Sequence, residues 1–340
     1  MKVINVRNVN GALTEGIRLM LQSGEFTPSR GGVTLEIPEP VSTVYARPWE
    51  RVLINKVRDA NPFFHLMEAI WILAGRDDVM FLTEFNKRMV DYSDDGLTFN
   101  APYGYRLKHN FNDNGNCNMD QLESVIDILK HDPLSRQAVC QIWDTQDLEK
   151  PTKDKACNMS IVFRIRNMEL HMTVYNRSND MIWGAYGANV VQFSMLQEYV
   201  AAHLKIPMGD YTQVSNSYHV YTGGPGGEVW DRLRGTIPYP EANYPNRQVL
   251  MDNSEIKLID YDLTMFFNCY DDYGLEELGE MECWRSDYFN NLIIPVLCTY
   301  LVHKQHGPKK AIGYTHKIKA DDWRIACEDW LFNRAEGRAK

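Results

Sequence analysis

The stretch KACNMSIVFRIRNMELHMTVYNRSNDMIWGAYGAN, Lys155 to Asn189, carries most of what decides the fold. Its apolar and β-branched residues fall into two runs, 159–166 and 169–176, parted near Asn167, and the spacing predicts two strands joined by a turn. An Arg-Ser-x-Asp cluster follows, with Arg177, Ser178 and Asp180, and then a segment containing Gly184. After Asn189 the run Val190–Leu204 reads as a long buried helix. Taken singly, these residues have plain structural readings. Cys157 reads as a small core hydrophobe, the cluster as a capped turn with a local ion pair, and Asn189 as a helix N-cap.

Upstream, residues 10–23 predict a helix leading to TPSRGGVTLEI, a turn-rich loop with Arg30 at its tip and then an alternating strand. The segment 62–90 starts at Pro62 and carries apolar residues at helical spacing with a break around Gly75, so two helices are expected. DYSDDGLTFNAPYGYRL, residues 91–107, reads as loop from its Asp, Gly and Asn content. The next segment reads as a helix stopped near Pro133, then a strand holding Val139, Ile142 and Trp143. Downstream, 222–255 is rich in Gly, Pro and Asn and is the expected boundary or long loop. EIKLIDYDLTMFF, from Glu255, looks strand-like, and amphipathic helices are expected at 285–305 and 320–335. Strands and helices without strict alternation predict an α+β fold. The expected division is 1–270 as a catalytic domain and 271–340 as a helical extension packed on it.

The 340 residues are 44% hydrophobic and 24% charged, the balance of an ordinary folded protein. With 36 Lys and Arg against 45 Asp and Glu, the formal charge is −9. That speaks against direct nucleic-acid binding, which needs a basic face, while leaving room for a small anion on a local arginine cluster. The seven cysteines include Cys117 and form no C-x-x-C pair, so neither a disulfide framework nor a metal site is expected. No signal peptide or membrane-length apolar run is seen, and a cytoplasmic protein is expected.

Seven separated motifs then occur in one order. They are SRGGVTLEI with Arg30, HLMEAIWILAG with Glu68, APYGYR with Tyr103, DPLSRQAVCQIWD with Arg136 and Trp143, ACN with Cys157 and Asn158, YNRSNDMIWGAYGAN, and SYHVYTG with His219 and Tyr221 as a pair. In this order, over about 30–265, the chain resembles the thymidylate synthase superfamily, including its nucleotide hydroxymethylase branch, and beyond about 270 no counterpart is seen. The resemblance implies a thymidylate synthase-like mixed sheet packed by helices, and 5,10-methylenetetrahydrofolate as co-substrate without a metal. It also implies a homodimer in which Arg136 reaches the partner's site, although Gln137 stands where the family usually has a second arginine.

The chemistry accounts for these residue types. Uracil C5 is a poor nucleophile, and a thiolate added at C6 converts it into an enolate carbon that attacks. Cys157 is the expected nucleophile, its pKa expected to be lowered by nearby guanidinium groups. By resemblance, Arg30, Arg136, Arg177 and Ser178 clamp the 5′-phosphate, for which arginine forks are suited. His219 and Tyr221 then bind the ribose, and Asn189 reads the pyrimidine edge. An amide donates to O4 and accepts from N3–H, which fits uracil, whereas cytosine hydroxymethylases typically carry aspartate there. Glu68 is implied in proton management through water, Tyr103 in removal of the C5 proton, and Asp180, with Gly184, in holding the pterin.

Three departures from the methylating pattern favour water over hydride as the final reactant. KRMVDYSDDG offers Val90 and Tyr92 but no tryptophan beside the intermediate. ACN replaces PCH, with Asn158 for histidine. The end FNRAEGRAK is polar and basic instead of a short apolar lid. The expectation is hydroxymethylation of deoxyuridylate, as used by phages for modified DNA precursors. Thymidylate synthesis, deoxycytidylate hydroxymethylation and a non-catalytic nucleotide-binding regulator stay open, the last disfavoured by the joint presence of Cys157 and Glu68.

Overall fold

A computed structural model describes residues 1–109, 119–236 and 240–337; Cys117 and the last three residues of the basic tail lie outside them. In chain order the elements are β1 (Lys2–Val6), α1 (Val9–Ser23), β2 (Glu25–Ser29), β3 (Gly32–Ile37), β4 (Val41–Tyr45), α2 (Pro62–Ala74), α3 (Val79–Phe85), α4 (Tyr103–Lys108), α5 (Gln121–His131) and β5 (Val139–Gln141). Then come β6 (Asn158–Arg166), β7 (Glu169–Asn176), β8 (Asn179–Asp180), a π-helical turn (Met181–Ala188), α6 (Asn189–Leu204), β9 (Met208–Ser215), β10 (Tyr218–Tyr221) and α7 (Gly224–Leu233). The helices α8 (Ile256–Tyr273), α9 (Leu275–Glu280), α10 (Ile294–His306), α11 (Pro308–Ile312) and α12 (Asp321–Ala335) complete the chain.

A six-stranded sheet runs β1-β4-β9-β7-β6-β5 and a four-stranded one runs β2-β3-β10-β8. The β6–β7 hairpin predicted from the opening stretch is present. It turns through Asn167 and Met168, both at positive φ, a region that suits asparagine far better than methionine. Along β7, Leu170, Met172 and Val174 are buried, the period of two that fixes register. The opposite face carries a registered row, Val139, Val162, Thr173, Thr212 and Val44, that is only half-buried or exposed.

Helix α2 follows its sequence signals. Asn61 caps it by accepting from the Phe64 amide at 3.1 Å, Pro62 occupies the first turn, and Gly75 closes it at φ 74. It is buried nearly throughout and packs against α6, which places Glu68 in the core.

Three expectations are corrected. Residues 256–273 form helix α8, not a strand, because Ile256, Ile259, Leu263, Phe266, Phe267 and Tyr270 bury at helical spacing; the β-branched and aromatic content of 255–267 hid that period. The helix runs through position 270, so the division expected there falls inside one element. The 222–255 region contains α7, opened by Gly224-Pro225 and anchored by buried Trp230 and Leu233. The 91–107 loop ends in helix α4, so Tyr103 sits on a helical first turn. No helix among the described residues is long and apolar enough to cross a membrane.

Candidate active site

Cys157 lies just before β6, half-buried, and the start of β7's following loop brings Arg177 beside it. The Arg177 guanidinium donates from Nε to the Ala156 carbonyl at 2.8 Å and from Nη2 to that of Lys155 at 3.0 Å. Nη2 also lies 3.8 Å from Cys157 Sγ, and the group sits 5.4 Å from the centre of the Trp143 ring. Two carbonyls thus orient the cation before any ligand is bound.

The thiol's electrostatics differ from the sequence expectation. Burial pushes the Cys157 thiol up, and although Arg177 and Arg30 pull it down, Asp154 adds to the rise and the net direction is upward. Desolvation of a thiolate outweighs cations that are themselves partly solvated. Near Cys157 stand Tyr103 and Asn158. Burial, then Cys157 and Asp154, raises the Tyr103 phenol and keeps it protonated. The Asn158 amide is fully buried, with neither its oxygen nor its nitrogen hydrogen-bonded. Unpaired polar atoms of that kind are uncommon in a folded interior and mark a place where water or ligand belongs.

Glu68 is likewise buried. Burial pushes its carboxyl up to about 7, partly offset by the Gln192 side chain, and its Oε2 has no partner. A carboxyl near neutrality can act as acid or base at physiological pH.

A second cluster surrounds Asp180. Its Oδ1 accepts from the amides of Ile182 at 2.8 Å and Trp183 at 2.7 Å, capping the π-helical turn, so the capped-turn reading holds for this residue. Its Oδ2 is buried and unpaired, and burial raises the carboxyl despite the two amides, His219 and Arg58. Strand β10 pairs with β8 so that His219 faces Asp180 in register. The His219 ring meets that of Tyr221 edge-on at 5.5 Å, and its Nδ1 is 3.2 Å from Ser217 Oγ. Burial, Asp180 and Cys157 raise the Tyr221 phenol while Arg30 lowers it, which links the two clusters. Tyr221 also packs on Gly31, next to Arg30 at the tip of the β2–β3 hairpin.

Asn189 is buried and its Nδ2 donates to Asn179 Oδ1 at 3.1 Å. It starts α6 without capping it, so the N-cap reading is not what the side chain does. Gly184 lies against this pair: a Cβ there would stand 2.7 Å from Asn179 Oδ1. Ser178 sits in the loop between β7 and β8, and Arg136 is exposed on the loop between α5 and β5. Among the described residues Arg136 makes no hydrogen bond or ion pair with the others. The chain therefore brings Cys157, Tyr103, Asn158, Arg177, Arg30, Tyr221, His219 and Asp180 together and leaves Arg136 outside.

Sequence reasoning missed Arg58, His65 and Trp183. Arg58 Nε donates to the Ile182 carbonyl at 2.9 Å, and its guanidinium stacks 4.2 Å from the centre of the Trp183 ring. Burial lowers Arg58 to about 10 against the pull of Asp180 and Asp59. Burial, then Arg58, lowers His65 to about 3, so it is neutral. Trp183 is 41% exposed; a large aromatic in a glycine-containing segment was the available signal. Among the described residues no three His, Cys, Asp or Glu side chains are grouped to hold a metal ion.

Residues 17–263 match the family model described as thymidylate synthase. Among curated proteins, a deoxyuridylate hydroxymethyltransferase of Pseudomonas phage M6 is 38% identical across 98% of this chain and 95% of its own. One of Bacillus phage SP01 is 41% identical across 63% of this chain, which spans 57% of that protein. A putative thymidylate synthase of Methanosarcina acetivorans is 30% identical across 69% of this chain and 94% of its own.

Proposed function

The chain belongs to the thymidylate synthase family, and from that membership we propose that it hydroxymethylates a pyrimidine deoxynucleoside monophosphate, deoxyuridylate, at C5. The observation that carries this reading is the Cys157–Arg177 pair, a half-buried sulfur 3.8 Å from a guanidinium already oriented by two carbonyls.

Cys157 Sγ adds to C6 of the ring, and the displaced electron pair reaches O4, where an Asn189 N–H accepts the load by donating a hydrogen bond. Arg177, Arg30 and Ser178 hold the phosphate, with Arg136 of a second subunit completing the clamp, and His219 and Tyr221 hold the ribose. A homodimer is supported by the uncovered row Val139, Val162, Thr173, Thr212 and Val44 on the large sheet, which a second copy would bury.

The family's co-substrate, methylenetetrahydrofolate, supplies a one-carbon unit at the formaldehyde level. The residues present fit its pterin: the unpaired, buried Asp180 Oδ2 is a free acceptor for ring N–H groups, and Trp183, partly exposed although Arg58 covers one face of its ring, suits a flat ring. Once the carbon is attached, the C5 proton passes to a water that the protonated Tyr103 phenol holds by hydrogen bond. Water then adds to the exocyclic methylene carbon of the nucleotide, Glu68 accepts its proton, and Cys157 leaves C6 as the hydroxymethyl product forms. The balance is nucleotide, one-carbon unit and water in; hydroxymethyl nucleotide and tetrahydrofolate out.

The buried, unpaired Asn158 amide beside Tyr103 supports water as the final reactant, because it offers a donor and an acceptor where a water can be held. Incubation with deoxyuridylate and methylenetetrahydrofolate, read by product mass and by absorbance, tests the proposal. A nucleotide 30 mass units heavier, by roughly the addition of CH2O, with no dihydrofolate supports it; dihydrofolate and a methylated product overturn it in favour of thymidylate synthesis.

A further inference from the structure

The side chain proposed to read the pyrimidine does not stand alone. Asn189 Nδ2 donates to Asn179 Oδ1 at 3.1 Å, and Asn179 Nδ2 donates onward to Ser215 Oγ at 3.0 Å. All three residues are buried, at 7%, 2% and 2% exposure. Asn179 is itself fixed at both ends of its backbone: it belongs to β8, and its amide donates to the Ser217 carbonyl at 2.8 Å. Gly184 closes over the pair with no room for a side chain, since a Cβ would come 2.7 Å from Asn179 Oδ1 and 3.5 Å from Asn189 Nδ2.

A carboxamide carries a donor and an acceptor at the two ends of one edge, and turning it over exchanges them. Uracil offers an acceptor at O4 and a donor at N3; cytosine offers a donor at N4 and an acceptor at N3. One Asn189 side chain can therefore serve either base, depending on which way it faces. A base paired with the wrong polarity leaves buried groups unsatisfied, which is how polar sites discriminate strongly.

We propose that Asn179 is a specificity-determining positioning residue, holding the Asn189 amide in one polarity so that the site accepts one pyrimidine and rejects the other. It rests on the reading of Asn189 given above. The relay runs Asn189 to Asn179 to Ser215 and ends on a hydroxyl, which can accept or donate. An acceptor-only side chain at 179 would keep Asn189 Nδ2 pinned, with the Ser215 hydroxyl turning to donate. An apolar one would release it.

The test compares Asn179→Ala, Asn179→Asp and Ser215→Ala with the wild type, measuring C5 proton release from deoxyuridylate and from deoxycytidylate in the presence of methylenetetrahydrofolate. Expected is a fall of at least about tenfold in the kcat/KM ratio between the two nucleotides for Asn179→Ala, a smaller fall for Ser215→Ala, and a ratio within about threefold of wild type for Asn179→Asp. A merely structural residue would lower both nucleotides together, so an unchanged ratio in Asn179→Ala with measurable turnover overturns the inference. So does an equal loss of discrimination in Asn179→Asp. If Asn179→Ala does not fold, the Ser215→Ala ratio decides in the same way. A wild type that releases the proton from neither nucleotide removes the reading of the site, and with it the inference, and is distinguished by that control alone.

Discussion

Around Cys157 the site is held by short-range bonds, Arg177 reaching carbonyls only 21 and 22 residues back, whereas around Asp180 the neighbouring Arg58–Asp59 segment leans on the far end of the chain. Asp59 accepts from Arg334 Nη1 at 3.1 Å and from Asn333 Nδ2 at 3.0 Å, 275 and 274 residues away. Lys56 pairs with Asp329 at 3.2 Å, and on α3 Glu84 pairs with Lys304 at 2.6 Å. Asp59 adopts φ 49, a conformation unusual for anything but glycine, asparagine or aspartate, which persists when the surroundings impose it. The surroundings of Cys157 thus come with the strands, while the wall beside Trp183 is borrowed from the C-terminal helices. Disturbance of those helices should reach the Asp180 end first.

Losing the Cys157 sulfur should do the most damage. Cys157→Ser should lower turnover by about three orders of magnitude or more while leaving nucleotide affinity within a few-fold, measured by steady-state rates and calorimetric titration. Next is the buried joint between the helical layer and the core. Arg51 Nη1 meets Glu198 Oε2 at 2.6 Å with both side chains 4% exposed, and Glu198 Oε1 accepts from the Met251 amide at 2.6 Å. Arg51→Met strands a buried carboxylate and should lower stability by about 3–5 kcal/mol in denaturant unfolding.

Glu68 gives a pH test. Burial raises its carboxyl to about 7 from 4.5, so the folded state favours the protonated form. The stability this represents is complete below about pH 4.5 and is lost as pH rises through 7. Glu68→Gln removes that loss, and its stability relative to wild type should improve by up to roughly 3 kcal/mol between pH 5 and pH 8, while its turnover falls. The smallest effect is at the exposed clasp. Asp59 and Arg334 are about a quarter exposed, and Arg334→Ala should cost about 1 kcal/mol or less. Steady-state kinetics should nonetheless show it raising the KM for methylenetetrahydrofolate more than that for nucleotide.

Periodicity and capping made much of the fold legible beforehand. The β6–β7 hairpin, α2 with Asn61, Pro62 and Gly75, and α6 follow from local signals that agree with their burial. Helix α8 was misread because Ile259, Phe266 and Phe267 favour strands in isolation, and only packing selects the helical period. The constellation from Arg30 to Tyr221 was legible through its order along the chain. Arg58 and His65 were not, since nothing local distinguishes them; Arg58 matters because its Nε donates to the Ile182 carbonyl and α12 bonds the adjoining Asp59. The sign of the Cys157 shift was missed because desolvation is a property of the folded interior and charge alone is written in the sequence.

The kinked segment between Asp180 and Asn189 has a consequence for anyone who shortens it. Met181–Ala188 is broken at Gly187, whose φ of −108° and ψ of −105° are not helical, so the turn capped by Asp180 and helix α6 meet at a kink. Deleting a single residue there would turn α6 by about 100° relative to the turn that Asp180 caps, carrying position 189 with it. A different side chain would then stand against Asn179. Length, as much as identity, is a coded property of that segment.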